Sequence, residues 1–315
     1  MKKIVLQLKN FIADDFEWTS YLWTFIFVAS AIAINYSINF ERNILIHHPY
    51  KSVVMLRFFA YYSVAWFAVA IPKLIIKKQT KLLSSPEFWA KILLFLALIS
   101  FTSGFRFNAQ WFSFINDPLT RTYVVKLTTQ IKCLLVYTLP LIVMCKIFDR
   151  QQQGIYGVNR NFGNGKTYLK MLLIVAPLII LASFTPDFIS AYPRYRAWQF
   201  ESLTVMSSYL STAIFEMLYV MDFAMTEWMF RGALVIGMVA IMGKEAILPM
   251  VSVYVFLHFG KPLAETISAF FGGYILGVLA YTTRHIWGGV ILHSGIALIM
   301  EFMGLFQFYV MGMHR

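Results

Sequence analysis

Long apolar stretches separated by short polar connections dominate the chain. Nine such stretches lie at residues 18–40, 53–76, 88–103, 123–148, 168–184, 203–242, 247–259, 263–281 and 287–306. A helix rises about 1.5 Å per residue, so about 20 apolar residues cross a hydrocarbon core that is roughly 30 Å thick. The pattern therefore predicts an all-α fold, a polytopic transmembrane helical bundle with eight or nine spans.

One stretch is too long for a single crossing. Residues 203–242 would form a straight helix about 60 Å long, twice the membrane thickness, so this segment must bend, break or extend past the bilayer. It contains Glu216, Asp222, Glu227 and Arg231. Unpaired charge facing lipid is costly, and we expect these side chains to point into a protein interior or a wet cavity.

Composition and charge agree with a membrane protein. Of the 315 residues, 59% are hydrophobic and 13% are charged, whereas soluble domains carry about 25% charged residues. The net charge of +12 would suggest nucleic acid as the partner of a soluble protein. Here the basic residues cluster at the ends of apolar stretches, which predicts contact with the acidic headgroups of a lipid bilayer and no nucleic-acid partner.

The distribution of lysine and arginine predicts the topology. The connections at 73–91 and 146–170 are the most basic, and cytoplasmic loops carry the excess of Lys and Arg. We therefore expect an integral protein of the cell inner membrane with a cytoplasmic N-terminus, and residues 1–9 as a basic lead-in to the first span. The polar, Gly- and Asn-rich segment 151–165 is expected to divide N-terminal transmembrane helices, 1–165, from a C-terminal bundle, 166–315.

Three ionisable residues inside apolar stretches are candidates for chemistry. Glu227, His258 and His293 lie on different predicted helices, and such residues are rare in spans because they are costly. Two imidazoles and a carboxylate can bind zinc and leave a fourth position for water, which the metal activates for peptide hydrolysis. The same three residues could also work without metal, as a general base and an oxyanion donor. The sequence leaves both mechanisms open.

Structural roles are open for the same residues. Glu227 and Arg231 are four residues apart and could form an ion pair that neutralises a buried helix. A histidine inside a span is often a hydrogen-bonded packing residue. The glycine pairs Gly272-Gly273 and Gly288-Gly289 are expected to let the histidine-bearing helices approach closely.

The order of these residues resembles a known family. Proteins of the CAAX-protease and bacteriocin-processing (CPBP) family, which are intramembrane metalloproteases, carry the motifs EExxxR, FxxxH and HxxxN. The chain has Thr226-Glu227-x-x-x-Arg231, Tyr254-x-x-x-His258 and His293-x-x-x-Ala297 in the same order. It is similar to a divergent member of this family between Thr226 and about Glu301.

The resemblance implies roles for the motif positions. In the family the first Glu and the first His activate water, the last His and the Asn stabilise the oxyanion, and the second Glu and the Arg are more structural. Thr226 occupies the first position and Ala297 the last. Loss of an oxyanion donor typically costs ~10²–10³ in rate. The carboxylates that could replace the missing one are Glu227, Glu216, Glu265 and Glu301, with Glu227 first if its helix is locally distorted.

The sequence therefore predicts an intramembrane endopeptidase that hydrolyses a membrane-associated peptide. Glu227, His258 and His293 are the expected catalytic residues and zinc ligands, supported by Arg231, Tyr254, Glu216 and Glu265. One alternative is a catalytically inactive relative that acts as a membrane scaffold or chaperone, because Thr226 and Ala297 replace family residues. A transporter is a further alternative, since buried charges and broken helices also mark transport paths.

Overall fold

The computed structural model describes residues 2–152, 154–203 and 205–312. Within these ranges the fold is all-α and contains no strands, which confirms the predicted fold class. Eight helical segments of the described chain are long and apolar enough to cross a membrane. This number is the lower of the two predicted, because the apolar stretches 203–242 and 247–259 together contribute one of the eight segments, residues 208–257.

The N-terminal half consists of one short helix and four long ones. They are α1 (Lys2–Asp15), α2 (Trp18–Ile38), α3 (Lys51–Ile76), α4 (Pro86–Gly104) and α5 (Pro118–Phe148). Helix α2 begins where Glu17 accepts hydrogen bonds from the backbone N–H groups of Thr19 and Ser20. Helix α1 packs against the C-terminal half and includes most of the predicted N-terminal lead-in.

The C-terminal half contains the predicted chemistry. Its helices are α6 (Gly165–Ala182), α7 (Pro186–Ala191), α8 (Ser208–Glu227), α9 (Val239–Met242), α10 (Ile247–Leu257), α11 (Leu263–Thr283) and α12 (Trp287–Tyr309). Pro262 separates α10 from α11, because its ring cannot continue the preceding helix.

The long apolar stretch breaks, as predicted. Helix α8 ends at Glu227, and a π-helical turn, Trp228–Ala233, follows it. Short helical turns then lead to α10, in which every residue from Ile247 to Phe256 is buried. Residues 228–238 and 247–256 therefore lie inside the protein rather than against lipid, and they include Arg231 of the first motif and Tyr254 of the second.

Two basic residues at the ends of the connection at 73–91 are buried. Lys73 lies 3.1 Å from Asp15 and 3.0 Å from Glu245. Lys91 lies 2.7 Å from Asp149. A charged group is tolerated in an apolar interior only when it is paired, so these lysines join helices instead of marking the exposed surface. Lys78 and Lys81 of the same connection are exposed.

Candidate active site

Three separate segments bring the predicted residues together. Glu227 is the last residue of α8, His258 follows α10 directly, and His293 lies in the second turn of α12. His293 Nδ1 is 2.8 Å from Glu227 Oε1, and the two imidazole rings lie with centroids 6.5 Å apart. The geometry therefore assembles a carboxylate and two imidazoles from parts of the chain that are distant in sequence.

Glu227 and Arg231 form the ion pair that their spacing predicts. Arg231 Nη1 donates to Glu227 Oε1 over 2.9 Å, and both side chains are fully buried. The guanidinium also lies 4.1 Å from the centroid of the Tyr254 ring, a favourable cation–π arrangement. Arg231 thus neutralises Glu227 and fixes the oxygen that contacts His293.

Glycines on α11 and α12 make this arrangement possible. A Cβ atom at Gly289 would overlap Glu227 Oε2, and one at Gly273 would lie 3.0 Å from the Tyr254 ring. The predicted close approach is therefore present at both positions. At Gly272 the prediction is wrong, because an added Cβ would meet no atom within 4 Å. Gly272 faces a cavity instead of a neighbouring helix.

His258 is held in one orientation by its own helix. Its Nδ1 is 2.7 Å from the carbonyl oxygen of Tyr254, and since a carbonyl can only accept, Nδ1 carries the proton. Nε2 is then the acceptor nitrogen. The carbonyl of His258 in turn accepts from Thr266 Oγ1 over 2.6 Å. The imidazole is thus oriented as a base.

The N-terminal half fixes the turn that carries His258, which the sequence analysis did not predict. Helices end with carbonyl groups that lack intrahelical partners, and here side chains of α2 and α3 supply the donors. The bonds are Tyr61 hydroxyl to Phe256 O at 3.0 Å, Asn35 amide to Phe259 O at 3.1 Å, and Tyr36 hydroxyl to Lys261 O at 2.6 Å.

Both imidazoles line a cavity of about 100 Å³. Tyr254, Glu265 and Ala297 line it as well, whereas Glu227 is not among its lining residues. Glu265 Oε2 accepts a hydrogen bond of 2.8 Å from the Tyr192 hydroxyl, and Oε1 is 3.3 Å from Lys261 Nζ. The cavity therefore contains a fixed carboxylate besides the two histidines.

The other carboxylates named from sequence lie elsewhere. The two carboxylate oxygens of Glu301 accept hydrogen bonds of 2.7 and 2.9 Å from the backbone N–H of Arg194. Glu301 therefore holds the loop that contains Arg194. Glu216 is half-buried, and neither it nor Glu301 lines the cavity. Thr226 does not line it either. Of the candidates for the missing first carboxylate, Glu265 is the one in the cavity.

The predicted zinc ligands do not form a three-ligand group. Among the residues described, no three His, Cys, Asp or Glu side chains are arranged to hold a metal ion. Glu227 is hydrogen-bonded to His293 and paired with Arg231, and it does not face the cavity that the imidazoles share. Zinc binding therefore stays a prediction.

The comparisons with known proteins support the motif analysis. Residues 208–299 match a family model described as type II CAAX prenyl endopeptidase Rce1-like. No curated protein and no solved structure matches the chain. The matched segment includes all three motifs, from Thr226 to Ala297. Both observations point to the same relationship, and residues 208–299 are similar to the family of CAAX-type proteases that the motifs indicated.

Proposed function

We propose that the protein is an intramembrane endopeptidase that cleaves a membrane-associated, prenylated peptide near its C-terminus. The observation that carries this proposal is that His258 and His293 line one cavity with ring centroids 6.5 Å apart, while Glu227 contacts His293 from outside the cavity. The description of the matched family supports the substrate class.

His258 acts as the general base. Its Nε2 accepts a proton from water while the water oxygen forms a bond to the carbonyl carbon of the scissile amide. The carbonyl π bond opens and leaves an oxyanion. When the tetrahedral intermediate collapses, the C–N bond breaks and the proton held on His258 passes to the leaving nitrogen. The products are a new carboxylic acid and a free amine.

His293 stabilises the oxyanion. Its Nδ1 lies 2.8 Å from Glu227 Oε1, and the ring lines the cavity, where an Nε2–H group is the donor to the oxyanion. Glu227 orients the ring, and Arg231 keeps the carboxylate in place. Glu227 is thus a positioning residue for His293. Fixed donors in a water-poor site are effective because they need no rearrangement as charge develops.

Glu265 provides a negative charge in the same cavity as His258. When the base takes up a proton it becomes an imidazolium, and a nearby carboxylate stabilises that form. Tyr192 and Lys261 hold the carboxylate in position. Glu265 therefore takes over part of the role that the residue at Thr226 has in the family.

The proposal is tested by cleavage of a defined probe. Detergent-purified protein is incubated with an internally quenched, farnesylated CAAX-motif peptide and with the same peptide without its farnesyl group. We expect cleavage of the farnesylated peptide, with mass spectrometry of the products locating a single cut near the C-terminus. The absence of cleavage from both peptides would contradict the proposal and favour the inactive-scaffold alternative that Thr226 and Ala297 suggest.

A further inference from the structure

Position 297 lacks a hydrogen-bond donor in an otherwise assembled site. Ala297 is four residues after His293 on α12, so both side chains lie on one face of the helix. Both line the cavity, and Ala297 is almost fully buried. If the endopeptidase activity proposed above is correct, the oxyanion needs a second donor from another residue.

The hydroxyl group of Tyr254 lies where such a donor is needed. It is 3.3 Å from His293 Nε2 and 3.5 Å from His293 Nδ1. The Tyr254 ring centroid is 4.5 Å from that of His258 and 5.9 Å from that of His293. Tyr254 thus packs beside both the proposed base and the proposed oxyanion donor, and it lines the same cavity.

The ring that carries this hydroxyl is held on several sides. The Arg231 guanidinium lies 4.1 Å from its centroid, and Phe230 packs edge-on at 5.3 Å. Gly273 leaves just enough space on another side, since a Cβ there would lie 3.0 Å from the ring. Only 4% of Tyr254 is exposed. The hydroxyl is therefore positioned before a substrate binds, as an oxyanion donor has to be.

We propose that the Tyr254 hydroxyl donates a hydrogen bond to the oxyanion and replaces the amide donor that Ala297 cannot provide. The corresponding motif position in the family is Phe, which has no hydroxyl, so this chain has exchanged a donor on α12 for one on α10. The proton stays on the phenolic oxygen throughout, and no bond to Tyr254 forms or breaks. Tyr254 is then a catalytic residue together with His258 and His293.

Removal of this one oxygen tests the inference. In Tyr254→Phe the ring and its packing remain, and we expect kcat on the farnesylated CAAX-motif peptide to fall ~10²–10³-fold, as for other lost oxyanion donors. KM should change little, because the interaction strengthens in the transition state. The thermal unfolding temperature in detergent should stay at the wild-type value.

Restoring the family donor provides the matched variant. In the double variant Tyr254→Phe/Ala297→Asn, an amide is present on the same helix face as His293, and we expect kcat to be at least tenfold higher than in Tyr254→Phe alone.

Full activity of Tyr254→Phe, measured alongside an inactive His293→Ala, would overturn this inference and leave the endopeptidase proposal intact. A loss in Tyr254→Phe that appears in KM and in the unfolding temperature would also overturn it, since that pattern belongs to a packing role. Absence of cleavage by the wild type would instead contradict the proposed function itself.

Discussion

At the scale of single residues, the proposed site combines two histidines that line one cavity with carboxylates that point in different directions. Glu227, His258 and His293 could be selected because ionisable groups are rare in apolar spans. The order of preference among the carboxylates could not be settled in the same way, since it depends on side-chain direction. Glu227 proved to contact His293 and Arg231, and Glu265 proved to be the carboxylate that lines the cavity. Tyr254 differs from the Phe of the family motif by one oxygen. The hydropathy of the sequence does not show that this oxygen lies near His293.

The contribution of Glu265 can be measured by removing its charge alone. In Glu265→Gln the amide oxygen can still accept from the Tyr192 hydroxyl, which is 2.8 Å from the carboxylate. We expect kcat to fall about tenfold, because loss of roughly 1.4 kcal/mol of imidazolium stabilisation changes a rate by that factor. The unfolding temperature should change little. The exposed Glu201, changed to Gln, is the control, and equal kcat for both variants would contradict the role of Glu265.

At the scale of helices, hydropathy predicted most elements and missed the features that position the site. The start of α2 at residue 18 and of α12 at residue 287 was predicted correctly. The end of α8 at Glu227 was not, because the apolar residues continue without interruption into the π-helical turn. Helix α1 was not predicted either, since its mixture of apolar, basic and acidic residues is too short and polar for a span. The end of α8 and the position of α1 both depend on contacts between segments that are distant in the sequence, and hydropathy does not show such contacts.

The turn after α10 gives a prediction at this scale. Asn35 lies on α2, outside the family match, and its buried amide donates to the carbonyl of Phe259, next to His258. In Asn35→Ala this carbonyl loses its partner, which typically costs about 1–3 kcal/mol. We expect a lower unfolding temperature and a lower kcat, because the His258 turn is less firmly held.

Asn43→Ala is the matched control for this change. Asn43 also donates its amide to a backbone carbonyl, that of Ile38, but at an exposed site. Cleavage rates and unfolding temperatures of the two variants are measured in the same detergent. If Asn35→Ala keeps the wild-type kcat, the N-terminal helices do not position His258.

At the scale of the whole molecule, the two halves of the chain share one interior. A single apolar cluster includes Trp66 and Phe95 of the N-terminal helices together with Phe230 and Tyr254 around the site. Buried ion pairs add to these contacts, and Lys73 bridges Asp15 and Glu245. Charge counting along the sequence could not separate this lysine from its exposed neighbours, because pairing depends on residues that are far away in the chain.

Loss of Lys73 should therefore destabilise the bundle. In Lys73→Met two buried carboxylates lose their partner, and breaking a buried pair from one side typically costs about 3–5 kcal/mol. We expect a markedly lower unfolding temperature of the purified protein. Lys81→Met removes the same charge from an exposed position of the same connection and should leave the unfolding temperature unchanged. An equal effect of the two substitutions would contradict the structural role of Lys73.

The central claim is that His258 and the His293–Glu227 pair form one proteolytic site. The most direct measurement compares cleavage of the farnesylated CAAX-motif peptide by wild type, His258→Ala, His293→Ala and the exposed-site control His47→Ala, each verified as folded by its unfolding transition. We predict that wild type and His47→Ala cleave the peptide at the same rate and that neither site variant cleaves it detectably. Cleavage at the wild-type rate by either His258→Ala or His293→Ala would contradict the account.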